Sequence, residues 1–196
     1  KKLLHFVITL ILCLVIIFLI PNGLLAKSCP NKIEKPEGCK SLSYRPKDFC
    51  KRMKKKWVPD GHNEGNLIRC NSEMHIDHII SWKWAYDTGK ICDPKKLDAL
   101  CRDPNNLIFT KKKTNLMKSD LGPVEWNKKQ QVSPRQKGFF VHLFLNASKG
   151  YLNITEQELL PGVSDDPQKA KKIIEETKPT AELIRAHTTI KYETGM

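Results

Sequence analysis

Short apolar segments in the middle of the chain have the β-branched and aromatic content of strands. Residues 76–82 are the best such segment, residues 106–110 form a second, and residues 67–70 form a shorter third. Residues 83–105, which separate the first two, predict a long loop with a helical turn near 95–101. Loops of that length are usually functional or cross-linked.

Helical patterns surround these strands. Thr110 is in position to cap a helix over 111–120, which Gly122 and Pro123 would end. Apolar residues recur at helical spacing in 135–148, and 167–178 predicts an amphipathic helix. Residues 51–57 predict a short basic helix. The combination predicts an α+β fold, with a small strand and helix core and additional helices.

The N-terminus has the pattern of a secretory signal. Lys1 and Lys2 precede an apolar run over 3–20, and Ala26 follows as a small residue suited to cleavage. The sequence therefore predicts a secreted or periplasmic protein. The apolar run of about 18 residues is also just long enough to span a bilayer, so an uncleaved membrane anchor stays open as an alternative.

The cysteines indicate an oxidising environment. Six of the seven lie beyond the signal, and no two have the Cys-x-x-Cys spacing typical of zinc sites, so disulfides are favoured over zinc. The cysteines concerned are Cys29, Cys39, Cys50, Cys70, Cys92 and Cys101. A bridge between Cys92 and Cys101 is favoured because it would close a single loop; the rest of the connectivity stays open. Residues 27–50 predict an irregular, disulfide-linked arm.

The net charge of +13 is unevenly distributed. Residues 165–196 hold six basic and six acidic side chains, so the excess lies upstream, in 51–57, at 111–113, and at Lys118, Lys128 and Lys129. A surface of one sign attracts polyanions such as nucleic acid or anionic lipid. A merely soluble basic protein is the alternative.

Asp77 and His78 stand side by side in the most apolar of the predicted strands. Burying an acid next to an imidazole costs several kcal/mol unless both groups find partners. Asn106 begins the next strand, and the helix after it carries Asn115 and Lys118. Neighbouring strand residues point to opposite faces, so a strand end or a bulge is needed for both side chains to reach one cavity.

These residues carry a family resemblance. The segments "IDHIISW" and "NNLIFTKKKTNLMKSD" resemble the HNH endonucleases, also called ββα-metal or His-Me finger nucleases. The nine-residue step from Asn106 to Asn115 is similar to the branch in which Asn replaces the last His. "GPVEW" resembles exported bacterial members. The resemblance covers about 50 residues, 75–126, and Ser81 departs from the proline that many members have there.

The resemblance implies a role for each matching residue. His78 would be the general base, and Asn106 would be structural, pinning the loop and orienting the imidazole. Asp77 and Asn115 would hold one divalent cation, Mg²⁺ by its preference for oxygen ligands, with Mn²⁺ or Ca²⁺ able to enter. Phosphate contacts would come from basic side chains, namely Lys111, Lys112, Lys113 and Lys118.

The sequence predicts four regions: the signal at 1–26, a Cys-rich basic arm at 27–66, the HNH core at 67–126 and a helical extension at 127–196. The predicted function is an exported, metal-dependent endonuclease that cuts DNA, and RNA as an open second substrate, with little sequence preference. Two alternatives remain: a secreted basic protein that binds nucleic acid with an inactive HNH fold, and a membrane-surface protein. Packing is favoured over base stacking for Trp82, Trp84 and Tyr86.

Overall fold

The computed structural model describes residues 29, 32–41, 50 and 57–179. The signal at 1–26 and the basic run at 51–56 lie outside the described residues. Within them the fold is α+β, as predicted. The elements in chain order are α1 Glu37–Ser41, β1 Trp57–Pro59, β2 Leu67–Arg69, β3 Met74–His78, α2 Trp82–Asp87, α3 Pro94–Arg102, a 3₁₀ turn Pro104–Asn106, β4 Leu107–Lys111, α4 Lys112–Lys118, α5 Pro123–Lys129, α6 Pro134–Ser148, α7 Glu156–Val163 and α8 Pro167–Glu176.

The strands form two antiparallel pairs, β1 with β2 and β3 with β4. Asp77 is opposite Ile108, and His78, the last residue of β3, is opposite Leu107. β4 runs directly into α4, so β3, β4 and α4 make a strand–strand–helix unit. The strand end required by the Asp77–His78 pair is therefore present at His78.

Two sequence predictions about the region after β3 are wrong. The strand predicted over 76–82 ends at His78, and the region 83–105, predicted as a loop, contains helix α2. The helical turn predicted near 95–101 within that region is confirmed, as the longer helix α3. Ser81 caps α2, since its hydroxyl accepts hydrogen bonds from the amides of Lys83 and Trp84, and Asp93 caps α3. Ser81, and Asp93 followed by Pro94, are known helix-start signals that the prediction did not use.

The remaining helices build the larger core. α5 packs on α7, and α6 packs on both α7 and α8, around buried aromatic side chains such as Trp126, Phe140 and Phe144. The helices predicted over 135–148 and 167–178 are confirmed within two residues. The helix predicted over 111–120 is shorter, and Lys111 rather than Thr110 is its N-cap residue. Trp82, Trp84 and Tyr86 pack against the core as predicted.

All six described cysteines are paired, as Cys29–Cys92, Cys39–Cys101 and Cys50–Cys70. The favoured Cys92–Cys101 bridge is wrong because α3 separates the two residues. At 1.5 Å of rise per helical residue they are more than about 10 Å apart, beyond the reach of a disulfide. Two bridges tie the N-terminal arm to the core across 62 or 63 residues.

Three disulfides indicate an oxidising environment. Among the described helices, none has the length and apolar character needed to cross a membrane.

Candidate metal and nucleic-acid site

Asp77 is buried, with 6% of its surface exposed, and pairs with two groups. Its Oδ2 lies 3.1 Å from His62 Nε2 and 3.3 Å from the Lys118 ammonium. Burial by itself would raise the pKa of Asp77, but the Lys118 charge and the His62 hydrogen bond outweigh it and hold the pKa below its ordinary value. Asp77 is therefore ionised in the folded protein at neutral pH.

His62 is a site residue that sequence reasoning missed. The indole N–H of Trp126 donates to His62 Nδ1 at 3.2 Å. Nδ1 must then be the acceptor, so Nε2 carries the hydrogen and donates it to Asp77. The ring is buried against Phe140, with centroids 5.0 Å apart. The hydrogen bonds therefore fix the tautomer and the orientation of this imidazole.

Gly61 brings His62 to the site. The amide of Gly61 donates to the carbonyl of Phe109 in β4 at 2.8 Å. A Cβ added at Gly61 would lie only 2.8 Å from the Cβ of Ile108, so a side chain there would push the loop off the strand. Residues 60–62 resemble an ordinary turn in sequence, and their partners lie far along the chain, so no local signal marks His62.

His78 is half-buried at the end of β3. Its Nε2 lies 3.1 Å from the carbonyl oxygen of Cys101, which can only accept a hydrogen bond. Nε2 therefore carries the hydrogen, and Nδ1 is left with the lone pair. Burial lowers the pKa of His78, although Asp77 and the Cys101 carbonyl partly oppose the shift. The ring is thus neutral at pH 7, with a basic nitrogen.

Asn106 is completely buried and bonds through its whole amide group. Its Oδ1 accepts from the Ile80 amide at 2.7 Å, and its Nδ2 donates to the carbonyls of Ile80 and Leu100. These contacts tie the segment after His78 to the last turn of α3. That turn also provides the Cys101 carbonyl that holds the His78 ring.

Asn115 lies on α4, one turn before Lys118. Its Nδ2 is 3.2 Å from Nδ1 of His75, which is two residues before Asp77 on the same side of β3. With Nδ2 donating to His75, the amide oxygen of Asn115 is left as an acceptor. His75 is partly buried, and burial lowers its pKa, so this imidazole is neutral and able to accept.

Four of the residues described above line one cavity of about 340 Å³, and His62, His75 and Asn106 are not part of its wall. Asp77, His78, Asn115 and Lys118 all contribute to its wall, together with Asp120, which accepts a hydrogen bond from Ser81 Oγ. The donor set fits a hard divalent cation, because Asp77 and Asn115, which both line this polar cavity, offer a carboxylate oxygen and an amide oxygen. Asp77 and Lys118 already neutralise each other there.

One other group in the described part of the chain has metal-ligating atoms close together. The side chains of Cys39, His78 and Cys101 offer such atoms within 4.8 Å of one another. Cys39 and Cys101 are joined in a disulfide, so neither sulfur is a thiolate. This group is therefore a candidate metal site only for the reduced protein.

The predicted phosphate-binding lysines divide into two groups. Lys111, Lys112 and Lys113 are exposed. Lys118 is instead 1% exposed, and its ammonium donates to the carbonyl oxygen of His78 at 2.7 Å as well as pairing with Asp77. Lys118 thus faces the interior of the cavity, whereas the other three face solvent.

Comparison with known proteins identifies no family for this chain. No protein-family model, curated protein or solved structure matches this chain. The functional interpretation therefore depends on the residues of the site and on their geometry.

Proposed function

We propose that the protein is an exported, metal-dependent endonuclease of the HNH type that hydrolyses phosphodiester bonds in DNA, with RNA as an open second substrate. The observation that carries the proposal is the neutral His78 imidazole, held by the Cys101 carbonyl with Nδ1 unprotonated, in the same cavity as Asp77 and Asn115. A base beside two hard oxygen ligands is the arrangement that metal-assisted hydrolysis requires. The three disulfides support export to an oxidising compartment.

The chain's own residues would supply the base and its support. His78 Nδ1 accepts a proton from the attacking water, and the imidazolium formed is stabilised by the Cys101 carbonyl and by the adjacent carboxylate of Asp77. Asn106 keeps the strand end and α3 in register, so the ring is oriented before substrate binds.

Asp77 and Asn115 would hold the cation. When bound, Mg²⁺ supplies charge neutralisation at the phosphate and stabilises the leaving oxygen, and Mn²⁺ or Ca²⁺ could take the same ligands. His62 and Lys118 fix Oδ2 of Asp77 and leave Oδ1 for this purpose. The hydrogen bond from Asn115 Nδ2 to His75 Nδ1 fixes the amide of Asn115 and leaves its oxygen for the cation.

The substrate class follows from the basic surface beside the site. Lys111, Lys112 and Lys113 are exposed at the junction of β4 and α4, the helix that carries Asn115. Lysines contact backbone phosphates, which hold no sequence information, so cleavage should have little sequence preference.

A plasmid-nicking assay tests the proposal, with Mg²⁺ or with chelator. We expect Mg²⁺-dependent nicking that His78→Ala reduces at least 100-fold, since a general base contributes about 10²–10⁴ to the rate. His142→Ala is the matched control, because His142 also bonds a backbone carbonyl through Nε2 but lines a different cavity. Nicking that survives chelator, or that His142→Ala reduces equally, would contradict the proposal.

A second candidate function is nucleic-acid binding without hydrolysis. One observation favours it: Lys118 already compensates the charge of Asp77, so the site does not need a cation to be electrostatically satisfied. This alternative predicts binding of DNA in chelator with no nicking under any metal condition. The same assay, combined with a binding measurement, separates the two functions.

A further inference from the structure

The outer face of the β1–β2 pair carries an exposed aromatic side chain. Trp57 is 55% exposed and Leu67 is 66% exposed, although both side chains are large and apolar. Val58 and Ile68 point inward and are buried, so the alternation of the strands turns Trp57, Leu67 and Arg69 outward together. Burial within the described fold therefore does not explain why position 57 holds a tryptophan.

Register places these three side chains next to one another. Trp57 is directly opposite Arg69, and Leu67 is the diagonal neighbour on the same face. Diagonal neighbours in an antiparallel pair lie about 7–8 Å apart, within reach of an indole ring. The result is an apolar platform with a guanidinium at its edge.

A groove of about 420 Å³ connects this platform to the basic turn between β4 and α4. We call it the Trp57 groove; its defining residues are Trp57, Leu67, Arg69, Lys111, Lys112 and Lys113. None of the four basic side chains forms an ion pair with another described residue, and Glu73 is the one acidic side chain among the described residues that line the groove. The groove is therefore positively charged.

We propose that the Trp57 groove binds an unpaired nucleotide of single-stranded nucleic acid, with the base stacked on Trp57 and the backbone phosphates on Arg69 and the lysines. Aromatic platforms beside basic side chains are how proteins hold single strands, because every base presents a π face. Bases in a duplex are already stacked on each other and are not available to the indole.

The location of the groove links it to the site at His78. Lys112 and Lys113 begin α4, and Asn115 lies on the next turn of the same helix. A strand with its phosphate in the cavity of Asp77 and Asn115 can therefore continue along α4 into the groove. This inference rests on the proposed function and specifies its substrate: single-stranded or locally unpaired nucleic acid is preferred.

An anionic membrane surface is a different partner that tryptophan and lysine could also suit. The concave shape of the groove favours a ligand that enters it over a flat bilayer. Its continuity with α4 also favours the ligand on which the neighbouring cavity would act.

Binding of a fluorescent single-stranded oligothymidine, measured by anisotropy in chelator, tests the proposal. We expect Trp57→Ala to weaken binding about tenfold, and Trp57→Phe to retain most of it, because stacking persists on a smaller ring. Lys112→Gln should weaken every oligonucleotide and reduce the salt dependence. Trp57 is exposed, so thermal melting should show all three variants folded.

Two matched ligands isolate stacking from charge. Trp57→Ala should change binding of a duplex, and of an abasic oligonucleotide of equal length, by less than twofold. Equal weakening for the abasic strand, or no weakening for oligothymidine, would overturn the proposal. Loss of binding to phosphatidylserine vesicles without any effect on oligothymidine would assign the groove to membranes instead.

Chelator prevents metal-dependent hydrolysis, so this readout does not depend on catalysis. If the protein binds oligothymidine through Trp57 but never nicks plasmid, the proposed function is overturned and the groove proposal stands. If the protein nicks plasmid, but the Trp57→Ala variant binds oligothymidine as tightly as wild type, the proposed function stands and the groove proposal is overturned.

Discussion

The ammonium group of Lys118 lies 3.3 Å from Oδ2 of Asp77, and both side chains are buried. Such a pair has a high cost of disruption, because removing one partner leaves the other charged in a medium of low dielectric constant. The pair also leaves the cavity without net charge from these two residues. A divalent cation should therefore bind weakly to the protein alone and more tightly together with a phosphodiester, which contributes a negative charge.

Lys118→Met should destabilise the protein by about 3–5 kcal/mol in chelator, since the carboxylate of Asp77 loses its charged partner. Mg²⁺ should restore part of that loss, because a cation at Asp77 would replace the missing charge. Denaturant unfolding with and without Mg²⁺ measures both effects. Lys113→Met, which changes an exposed lysine, should alter stability by no more than about 0.5 kcal/mol. If Mg²⁺ does not change the free energy of unfolding of Lys118→Met, the result would argue against Asp77 as a ligand.

His62→Phe should preserve ring packing against Phe140 and Trp126 while removing both hydrogen bonds of the imidazole. The expected loss of stability is about 1–3 kcal/mol, since the Trp126 N–H is left without its acceptor. We also expect a higher Mg²⁺ concentration for half-maximal nicking, because Asp77 is less firmly oriented. His62→Gln, which keeps an N–H donor, should lie between wild type and His62→Phe. Equal Mg²⁺ dependence in all three proteins would limit His62 to a structural role.

The pH dependence of cleavage should reflect the lowered pKa of His78. The proposed mechanism requires the neutral ring as the base, so activity should persist below pH 6.5, the ordinary value, and fall only as the pH passes through the lowered pKa. Single-turnover cleavage at saturating Mg²⁺ measures this acid limb. The stability of the fold should depend on pH in the same direction as cleavage. Because the pKa of His78 is lowered in the folded state, its contribution to stability is complete above pH 6.5 and is lost as the pH falls through the folded pKa. A fall in cleavage rate with its midpoint above pH 6.5 would contradict the lowered pKa that burial gives His78.

Replacing the Cys39–Cys101 disulfide by two serines should reduce cleavage more than replacing Cys50–Cys70. Both changes destabilise the protein, by about 4 and about 3 kcal/mol on chain-entropy grounds for loops of 62 and 20 residues. Only the first frees the turn whose Cys101 carbonyl holds His78. Cleavage measured well below each melting temperature separates the loss of stability from the loss of activity. Equal activity in both variants would show that the Cys39–Cys101 bridge does not position His78.

The three bridges can be checked directly. Under non-reducing conditions the chain should be about six hydrogens lighter than its reduced form, and peptide mapping should recover Cys29–Cys92, Cys39–Cys101 and Cys50–Cys70. A peptide linking Cys92 to Cys101 would contradict the length of α3.

The sequence by itself determined the α+β class, the short strands near Asp77 and Asn106 and the long C-terminal helices, because these depend on local periodicity. It also indicated an oxidised protein, through the count and spacing of the cysteines. It could not determine the disulfide pairing or the true extent of β3. Those features depend on where α2 and α3 return the chain, which is a matter of packing between distant segments.

Only the tertiary structure decided the surroundings of each site residue. It brought His62 to Asp77, turned Lys118 inward, and gave His78 the Cys101 carbonyl as a partner. It also turned Trp57 outward beside the lysines of α4. The hydrogen bonds and the ion pair of the site join residues 15 to 41 positions apart, and periodicity within a strand or helix holds no information about them.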